Sequence, residues 1–160
     1  MQGPSRRPLR ERLITRLAHA AFLLLRPMTL GARAAVIDGD ERVLLIKHTY
    51  VQGWHLPGGG VAVGETCEEA ARREVAEEAN VAIEAPLTLH GLFLNARASQ
   101  RDHVAVYVAR RFRVLGERAP DHEIAAARFF PRDALPPDVG RGTRERLDEI
   151  FGRAPPAAIW

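Results

Sequence analysis

The stretch from Gly58 to Val81 constrains this chain most, because it places three carboxylates where a helix disfavours them. Glu74, Glu77 and Glu78 follow the spacing i, i+3 and i+4, which projects all three side chains from one face of a helix. They lie in the second half of that predicted helix, where each exposed negative charge opposes the helix dipole by about 0.3–1 kcal/mol. The cluster therefore favours a bound cation, and a solvated, salt-bridged helix surface is the alternative.

The predicted helix has clear boundaries in the sequence. Thr66 is a good N-cap and Glu69, three residues later, completes a capping box. The helix is predicted to run to about Ala79 and to end at Asn80 in a left-handed conformation. Three consecutive glycines at 58–60 precede it and let the backbone approach a ligand closely. A glycine loop that leads into an acidic helix suits a metal-bridged phosphate that is attacked by water.

Composition indicates one soluble domain and excludes several classes of protein. The chain has 160 residues, of which 46% are hydrophobic and 27% are charged. Residues 1–33 contain seven Arg and one Glu, so the remainder of a chain with net charge +3 is slightly acidic. We expect no nucleic-acid partner, because this basic segment lacks interleaved aromatic residues. The single cysteine, Cys67, excludes an intramolecular disulfide, is expected to be a packed thiol and is compatible with the cytoplasm.

Residues 1–28 form a predicted N-terminal extension with an amphipathic helix over residues 9–25. A signal peptide is disfavoured, because the apolar run at 17–25 is short, contains His19 and is followed by Arg26-Pro27. The run is also shorter than the roughly 20 residues that span a bilayer. We expect the helix to pack on the domain or on a second subunit in a homodimer. A helix lying on a membrane surface is the alternative.

Residues 29–153 are predicted to form the main domain, and 154–160 a frayed tail. Two strands at 33–38 and 42–48 are expected to form a hairpin around Asp38-Gly39-Asp40. The further expected elements are strands at 60–63, 81–95, 103–115 and 125–130 and a helix at 143–151. Because strands and helices interleave, the fold class is α/β or α+β, with helices that cover a mixed sheet.

The acidic helix and its glycine loop resemble the signature of the Nudix hydrolases, G-x5-E-x7-R-E-(apolar)-x-E-E-x-G-(apolar). The matching residues are Gly59, Glu65, Arg73, Glu74, Val75, Glu77, Glu78 and Val81. The final glycine is replaced by Asn80, which tolerates the left-handed conformation better than other non-glycine residues. Residues 53–60 are also similar to the family's W-x-L-P-G-G segment. The resemblance covers about residues 30–150.

This resemblance implies a Nudix-type α/β/α sandwich with a central mixed β-sheet, to which the N-terminal amphipathic helix is an addition. It implies hydrolysis of a nucleoside diphosphate linked to another group, so the expected partner is a small nucleotide or nucleotide conjugate. Glu74, Glu77 and Glu78, with Gly59, would hold Mg²⁺ or Mn²⁺. Arg73 would orient the glutamates. A catalytically silent binding or regulatory module is the alternative, which the intact set of acids disfavours.

The general base varies within the family, so three residues stay open at this point. Glu74 and Glu78 are candidates on the helix. Glu123, which precedes a predicted strand, is similar to a downstream loop glutamate that many members use. The alternative for Glu123 is an ordinary solvated loop acid.

Five residues are predicted to contact the substrate. Arg33 is a candidate for a phosphate oxygen, with a structural ion pair as the alternative. Gly58 and Gly59 would bring the backbone close to the phosphates, and Tyr50 would stack on a base or pack in the core. His103 lies next to a polar loop that could close over a ligand. The sequence leaves the substrate open, with nucleoside triphosphates as the default.

Overall fold

The computed structural model describes residues 25–160, together with residues 15, 17, 19, 21 and 22. The predicted N-terminal helix at 9–25 falls mainly on residues outside this description. No helix in the described part is long and apolar enough to cross a membrane. In chain order, the strands and helices are β1 (Thr29–Val36), β2 (Arg42–His48), β3 (Trp54–His55), β4 (Gly58–Gly60), α1 (Cys67–Ala79), β5 (Val81–Ile83), β6 (Thr88–Leu94), β7 (Asp102–Ala109), β8 (Phe112–Val114), β9 (Ile124–Pro131) and α2 (Arg141–Ile150).

The main sheet has the strand order β4-β1-β7-β6. Its centre is the parallel pair β1 and β7, in register from Thr29 opposite Asp102 to Val36 opposite Ala109. The outer strands β4 and β6 pair antiparallel to them. The sheet is therefore mixed, as predicted. A second sheet has the order β3-β2-β9, and β5 and β8 form a separate two-stranded sheet.

Side-chain alternation along β1 divides the interior into two cores. Ala32, Ala34 and Val36 pack on one side with α1, which contributes small apolar residues such as Ala70, Ala71 and Val75. Ala35 and Ile37 pack on the other side with Leu147 of α2. Helices thus cover both faces of the sheet, and the predicted α/β/α sandwich is confirmed. The small residues of α1 let the helix lie close to the sheet.

The prediction that the first two strands form a hairpin holds at the turn but is wrong for the rest of the two strands. The turn exists, since the Asp38 N–H donates to the Arg42 carbonyl at 3.0 Å and Ile37 bridges Val43. The strands then diverge into different sheets, where β1 pairs with β4 and β7 and β2 pairs with β3 and β9. Both strands are buried on two faces, so each needs neighbours that are distant in the chain.

Two long predicted strands are each broken in the structure. Residues 81–95 contain β5 and β6, which are separated at Pro86, and residues 103–115 contain β7 and β8. The expectation of a frayed tail at 154–160 is also wrong. Ile159 forms a parallel bridge to Leu94, and the Trp160 N–H donates to the Leu94 carbonyl at 3.0 Å.

Both predicted caps of α1 are confirmed. Thr66 Oγ1 accepts the Glu69 N–H at 3.2 Å, and Glu69 Oε2 accepts the Thr66 N–H at 2.8 Å. Asn80 has φ 55° and ψ 43°, and its N–H donates to the Ala76 carbonyl at 3.0 Å. The helix that carries the acidic cluster therefore begins and ends where the sequence predicts.

Substitution of Asn80 tests whether the left-handed cap limits stability. We expect Asn80→Ala to lower the free energy of unfolding by about 1 kcal/mol, because an L side chain other than Asn is strained at positive φ. Asn80→Gly should stay within about 0.5 kcal/mol of the parent chain, since glycine adopts this conformation freely. Urea denaturation measures both variants. Equal stability of the Ala and Gly variants would show that the backbone conformation carries no cost.

Candidate active site

A cleft of about 420 Å³ lies where the glycine strand β4 meets α1, the end of β2 and the loop before β9. Its lining includes charged residues of both signs. The lining residues are Arg33, His48, Tyr50, Val51, His55, Gly58, Gly59, Gly60, Glu74, Glu78 and Glu123. The structure therefore brings together most of the residues that the sequence singled out.

Gly58 fixes the position of the glycine strand against β1. A Cβ atom at this position would overlap the Ala32 carbonyl oxygen and the Arg33 side chain, and φ is 152°. Only glycine allows this approach without strain. The Gly58 N–H then points at α1 and donates to Glu78 Oε2 at 2.7 Å.

The carboxylate of Glu78 lies in a part of the cleft that is almost inaccessible to solvent. Its side chain is 7% exposed, and Oε1 lies 3.6 Å from Nε2 of His48. Burial raises the pKa of Glu78 to about 7, and the negative charges of Glu74 and Glu123 add to this effect. The Gly58 hydrogen bond and the charge of Arg33 offset it only in part. Without a cation, the charged form of Glu78 is therefore disfavoured.

Glu74 lies directly over Gly59, where a Cβ atom would overlap its carboxylate. Nη1 of Arg73 donates to Glu74 Oε1 at 2.7 Å, and the Glu74 side chain is 14% exposed. Two carboxylates from adjacent turns of α1 thus face the cleft beside an exposed stretch of backbone. The missing side chain at Gly59 creates the space that the Glu74 carboxylate fills.

Arg73 ties the loop after β4 to α1. Its guanidinium donates to both carboxylate oxygens of Glu65 at 2.9 and 3.1 Å, and to the Gly60 carbonyl at 3.1 Å. The same group contacts Glu74 and, at 3.2 Å, Glu77. These hydrogen bonds raise the pKa of Arg73 and lower that of Glu65. Arg73 thus contacts Glu74 and Glu77, the two residues on α1 that the family resemblance implies it orients.

Glu77 differs from its two neighbours. Its side chain is 61% exposed, is absent from the cleft lining and contacts Arg73. The prediction that three carboxylates share one face holds for the helix, but only Glu74 and Glu78 enter the cleft. Among the described residues, no group of three or more His, Cys, Asp or Glu side chains is arranged to hold one metal ion.

The donor set nevertheless fits a hard divalent cation. Glu74 and Glu78 offer only oxygen atoms, and the pKa of Glu78 is raised by burial and then by the neighbouring negative charge of Glu74. The Gly59 backbone lies close to the Glu74 carboxylate. Mg²⁺ commonly retains several waters and needs few protein ligands. Two carboxylates, with Glu77 nearby, therefore provide ligands of the type that Mg²⁺ binds.

Arg33 is the cationic group at the centre of the cleft. Its Nη1 donates to the Leu56 carbonyl at 2.7 Å, and no carboxylate among the described residues forms an ion pair with it. The predicted alternative, a structural ion pair, is therefore absent from the described part of the chain. Burial lowers the pKa of Arg33, but a guanidinium remains charged in proteins. Its unused N–H groups are available to an anion.

Glu123 and Tyr50 lie together at the open side of the cleft. The Tyr50 hydroxyl donates to Glu123 Oε1 at 3.3 Å, and the Thr49 N–H donates to the Glu123 carbonyl at 2.9 Å. The preceding loop is joined to α1, because Nε of Arg118 donates to the Glu77 carbonyl at 3.0 Å. Glu123 is thus an exposed carboxylate held at a fixed distance from the acidic helix.

His103 does not line this cleft. It lies on β7 opposite Leu30 and Leu94, and its Nδ1 is buried without a hydrogen-bond partner. The flanking residues Asp102 and Val104 line a neighbouring cavity, so strand alternation turns His103 to the other face.

Two histidines that were not among the predicted site residues, His48 and His55, also line the cleft. His48 lies two residues beyond Ile46 on β2, and His55 follows Trp54 on β3. Burial lowers the pKa of both, so they are neutral near neutral pH. The sequence contained a signal that His48 could belong to the site, because Leu44, Ile46 and His48 are alternate residues of one strand.

Comparison with known proteins agrees with this geometry. A Bacillus subtilis protein provisionally named an 8-oxo-dGTP diphosphatase is 37% identical over 78 residues, 48% of this chain and 50% of that protein. The ADP-ribose pyrophosphatase of Methanocaldococcus jannaschii is 34% identical over 104 residues, 63% of this chain and 61% of the relative. The matches thus span about half to three-fifths of these curated relatives.

The fold also matches a solved structure, the MutT NUDIX hydrolase from Burkholderia pseudomallei. That match has a TM-score of 0.66 and 30% identity, and covers 76% of this chain and 97% of the other. The sequence pattern of the NUDIX domain matches residues 27–150, which include the cleft, α1 and both cores. The chain therefore belongs to the Nudix family.

Proposed function

We propose that this protein is a divalent-cation-dependent pyrophosphohydrolase that acts on a nucleoside diphosphate linked to another group. The observation that carries the proposal is the cleft itself, in which buried Glu78 and partly buried Glu74 face Arg33, a cation without a carboxylate partner among the described residues. A diphosphate neutralises Arg33, and a cation neutralises Glu74 and Glu78. The two curated relatives are named for 8-oxo-dGTP and ADP-ribose, which both contain a nucleoside diphosphate.

The chain's own groups divide the work of hydrolysis. Arg33 binds phosphate oxygens with the N–H groups that the Leu56 carbonyl does not use. Arg73 holds Glu74 in place. Glu123 is the favoured general base, because it is exposed and hydrogen-bonded only by the neutral Tyr50 hydroxyl among the described side chains. Glu74 and Glu78 remain open for that role.

In the reaction, a water oxygen bonds to one phosphorus while the bridging P–O bond breaks. The water proton passes to the base and then to solvent, and the second phosphate group leaves as an anion. Mg²⁺ or Mn²⁺, held by Glu74 and Glu78 with Glu77 and Gly59 beside them, would stabilise the negative charge on the phosphoryl oxygens.

A substrate screen tests the proposal directly. Purified protein is incubated with Mg²⁺ or Mn²⁺ and with nucleoside triphosphates, oxidised nucleotides, ADP-ribose and nucleotide sugars, and the products are separated by chromatography. We expect a nucleoside phosphate product from at least one compound. Tight binding of a nucleotide without any turnover would instead favour a silent Nudix-fold binding module.

Glu78→Gln should separate the roles of this residue in stability and in cation binding. The variant keeps an acceptor for the Gly58 N–H but removes a buried charge. We expect loss of activity by at least about 100-fold and loss of the rise in melting temperature that Mg²⁺ causes in the parent chain. Glu84→Gln is the matched control, since Glu84 is an exposed carboxylate paired with Arg113.

Without a bound cation, the difference in stability between Glu78→Gln and the parent chain should depend on pH. Folding raises the pKa of Glu78 above its ordinary value of 4.5 to about 7, so the parent chain loses stability as pH rises through this range. Glu78→Gln should therefore be more stable than the parent chain at pH 8 by about 3 kcal/mol, because one unit of this pKa rise corresponds to about 1.4 kcal/mol. The difference should shrink towards pH 5. Urea denaturation with EDTA at both values measures it, and a lower stability of the variant at pH 8 would contradict it.

Substitution of Arg33 tests the phosphate contact. Arg33→Met should raise KM by about 10- to 100-fold, because a hydrogen bond to a charged group contributes about 1.5–3 kcal/mol. The KM of Arg33→Lys should lie between those of the parent chain and Arg33→Met, because lysine keeps the positive charge but lacks the planar guanidinium. Arg110→Met, which removes an exposed Arg paired with Glu41, is the control. An unchanged KM in Arg33→Met would remove Arg33 from the substrate site.

A further inference from the structure

Residues 157–160 form a closing segment that extends the main sheet at its edge. The Leu94 N–H donates to the Ala158 carbonyl, and the Trp160 N–H donates to the Leu94 carbonyl, both at 3.0 Å. Ile159 lies at the parallel bridge with Leu94. The segment thus continues the sheet beyond β6 and carries Trp160 to a fixed place.

A buried ion pair on α2 anchors this segment. Nη2 and Nε of Arg146 contact the Glu149 carboxylate at 2.6 and 3.0 Å, and both side chains are almost fully buried. Glu149 also accepts the Ala157 N–H at 2.9 Å, and Arg146 donates to the Ile159 carbonyl at 2.9 Å. The closing segment therefore has partners on both α2 and β6.

The anchored segment positions the indole ring of Trp160. The ring packs over Gly142, where any side chain would overlap it, and lies edge-on to Phe93 with ring centroids 6.3 Å apart. The Arg33 guanidinium lies 5.7 Å from its centre. Trp160 is thus next to the cationic group that faces the catalytic cleft.

Two further cavities of about 310 and 350 Å³ continue from the cleft at this point. Arg33, Asn95 and Trp160 line both of them. The first also shares Gly59 and Gly60 with the catalytic cleft, and Arg33 lines all three spaces. A ligand whose diphosphate lies on Arg33 therefore has room for its attached group beside Trp160.

The walls of these cavities contain the flat aromatic ring of Trp160 and the hydrogen-bonding side chain of Asn95. Asn95 donates to Asp102 Oδ2 at 2.8 Å, which leaves its amide oxygen without a hydrogen bond from any described residue. A nucleobase has both a π-face and polar edge atoms, whereas a phosphate chain lacks the first. In the cavity of about 310 Å³, where Arg33 is the only Arg or Lys among the described lining residues, this pairing of groups fits a base better than a further phosphate.

From this geometry we infer that Trp160 is a specificity-determining residue that packs against the nucleobase of the substrate. The inference rests on the proposed function for the reaction, and it assigns the base-bearing half of the substrate to the cavities beyond Arg33. The closing segment then supplies a wall of the substrate site from a part of the chain outside the residues matched by the NUDIX domain.

Fluorescence tests the contact without requiring turnover. The chain contains two tryptophans, so Trp54→Phe leaves Trp160 as the only one. With Mg²⁺ present and fluorescence read on mixing, we expect saturable quenching by ADP, GDP, CDP or UDP, and much weaker quenching by pyrophosphate or ribose 5-phosphate. Absence of quenching by all four nucleotides at millimolar concentration, or equal quenching by pyrophosphate, would overturn the inference.

Kinetics then tests the consequence for specificity. Trp160→Ala should raise KM by about 10- to 100-fold for the nucleotide that the screen identifies, and leave KM for inorganic tripolyphosphate unchanged. Trp160→Phe should restore most of the loss. Ile159→Ala, which alters a neighbouring side chain that is 56% exposed, is the control. Equal losses with both compounds would mean a structural role for Trp160.

The two proposals fail in different ways. If the parent chain hydrolyses no pyrophosphate compound, the proposed reaction fails while quenching still decides the role of Trp160. If nucleotides are hydrolysed and Trp160→Ala acts equally on tripolyphosphate, the reaction stands and the base contact fails.

Discussion

The guanidinium of Arg73 forms the contacts on which the arrangement of the candidate active site depends. It joins Glu65 and the Gly60 carbonyl, which follow the glycine strand, to Glu74 and Glu77 on α1. Without it, three carboxylates would face one another across a partly exposed surface, and only the Gly58–Glu78 hydrogen bond and the capping box at Thr66 would remain of the described hydrogen bonds between this region and the helix. The residue at the centre of the family's signature thus acts by fixing the distance between two segments that each contribute to the cleft.

Under the proposed function, the charges of the cleft would couple the binding of cation and nucleotide. Glu74, Glu78 and Glu123 give it negative charge, and Arg33 is its only Arg or Lys among the lining residues described. A polyphosphate that approaches without a cation meets repulsion, and a cation that arrives alone leaves Arg33 without an anion. Each ligand should therefore raise the affinity for the other, and by linkage the two effects are equal in free energy.

Local features of this chain could be predicted from its sequence, and long-range features could not. The capping box at Thr66, the left-handed Asn80 and the position of α1 follow from interactions within a few residues. The divergence of β1 and β2, the direction of His103 and the docking of residues 157–160 depend on partners far along the chain. The motif predicted three carboxylates in the site, but helix geometry alone does not separate buried Glu78 from exposed Glu77.

The parallel pairing of β1 with β7 has a consequence for how the chain folds. Residues in register across this pair are 73 positions apart, so the central ladder of the main sheet closes a loop that contains the glycine strand and the whole acidic helix. Loop closure of this length costs entropy before its contacts form, and such topologies fold slowly. Helix α1 has its own caps and can form early, whereas Arg33 reaches its place only when β1 is paired. The cleft of the candidate active site should therefore be among the last parts of the molecule to assemble during folding.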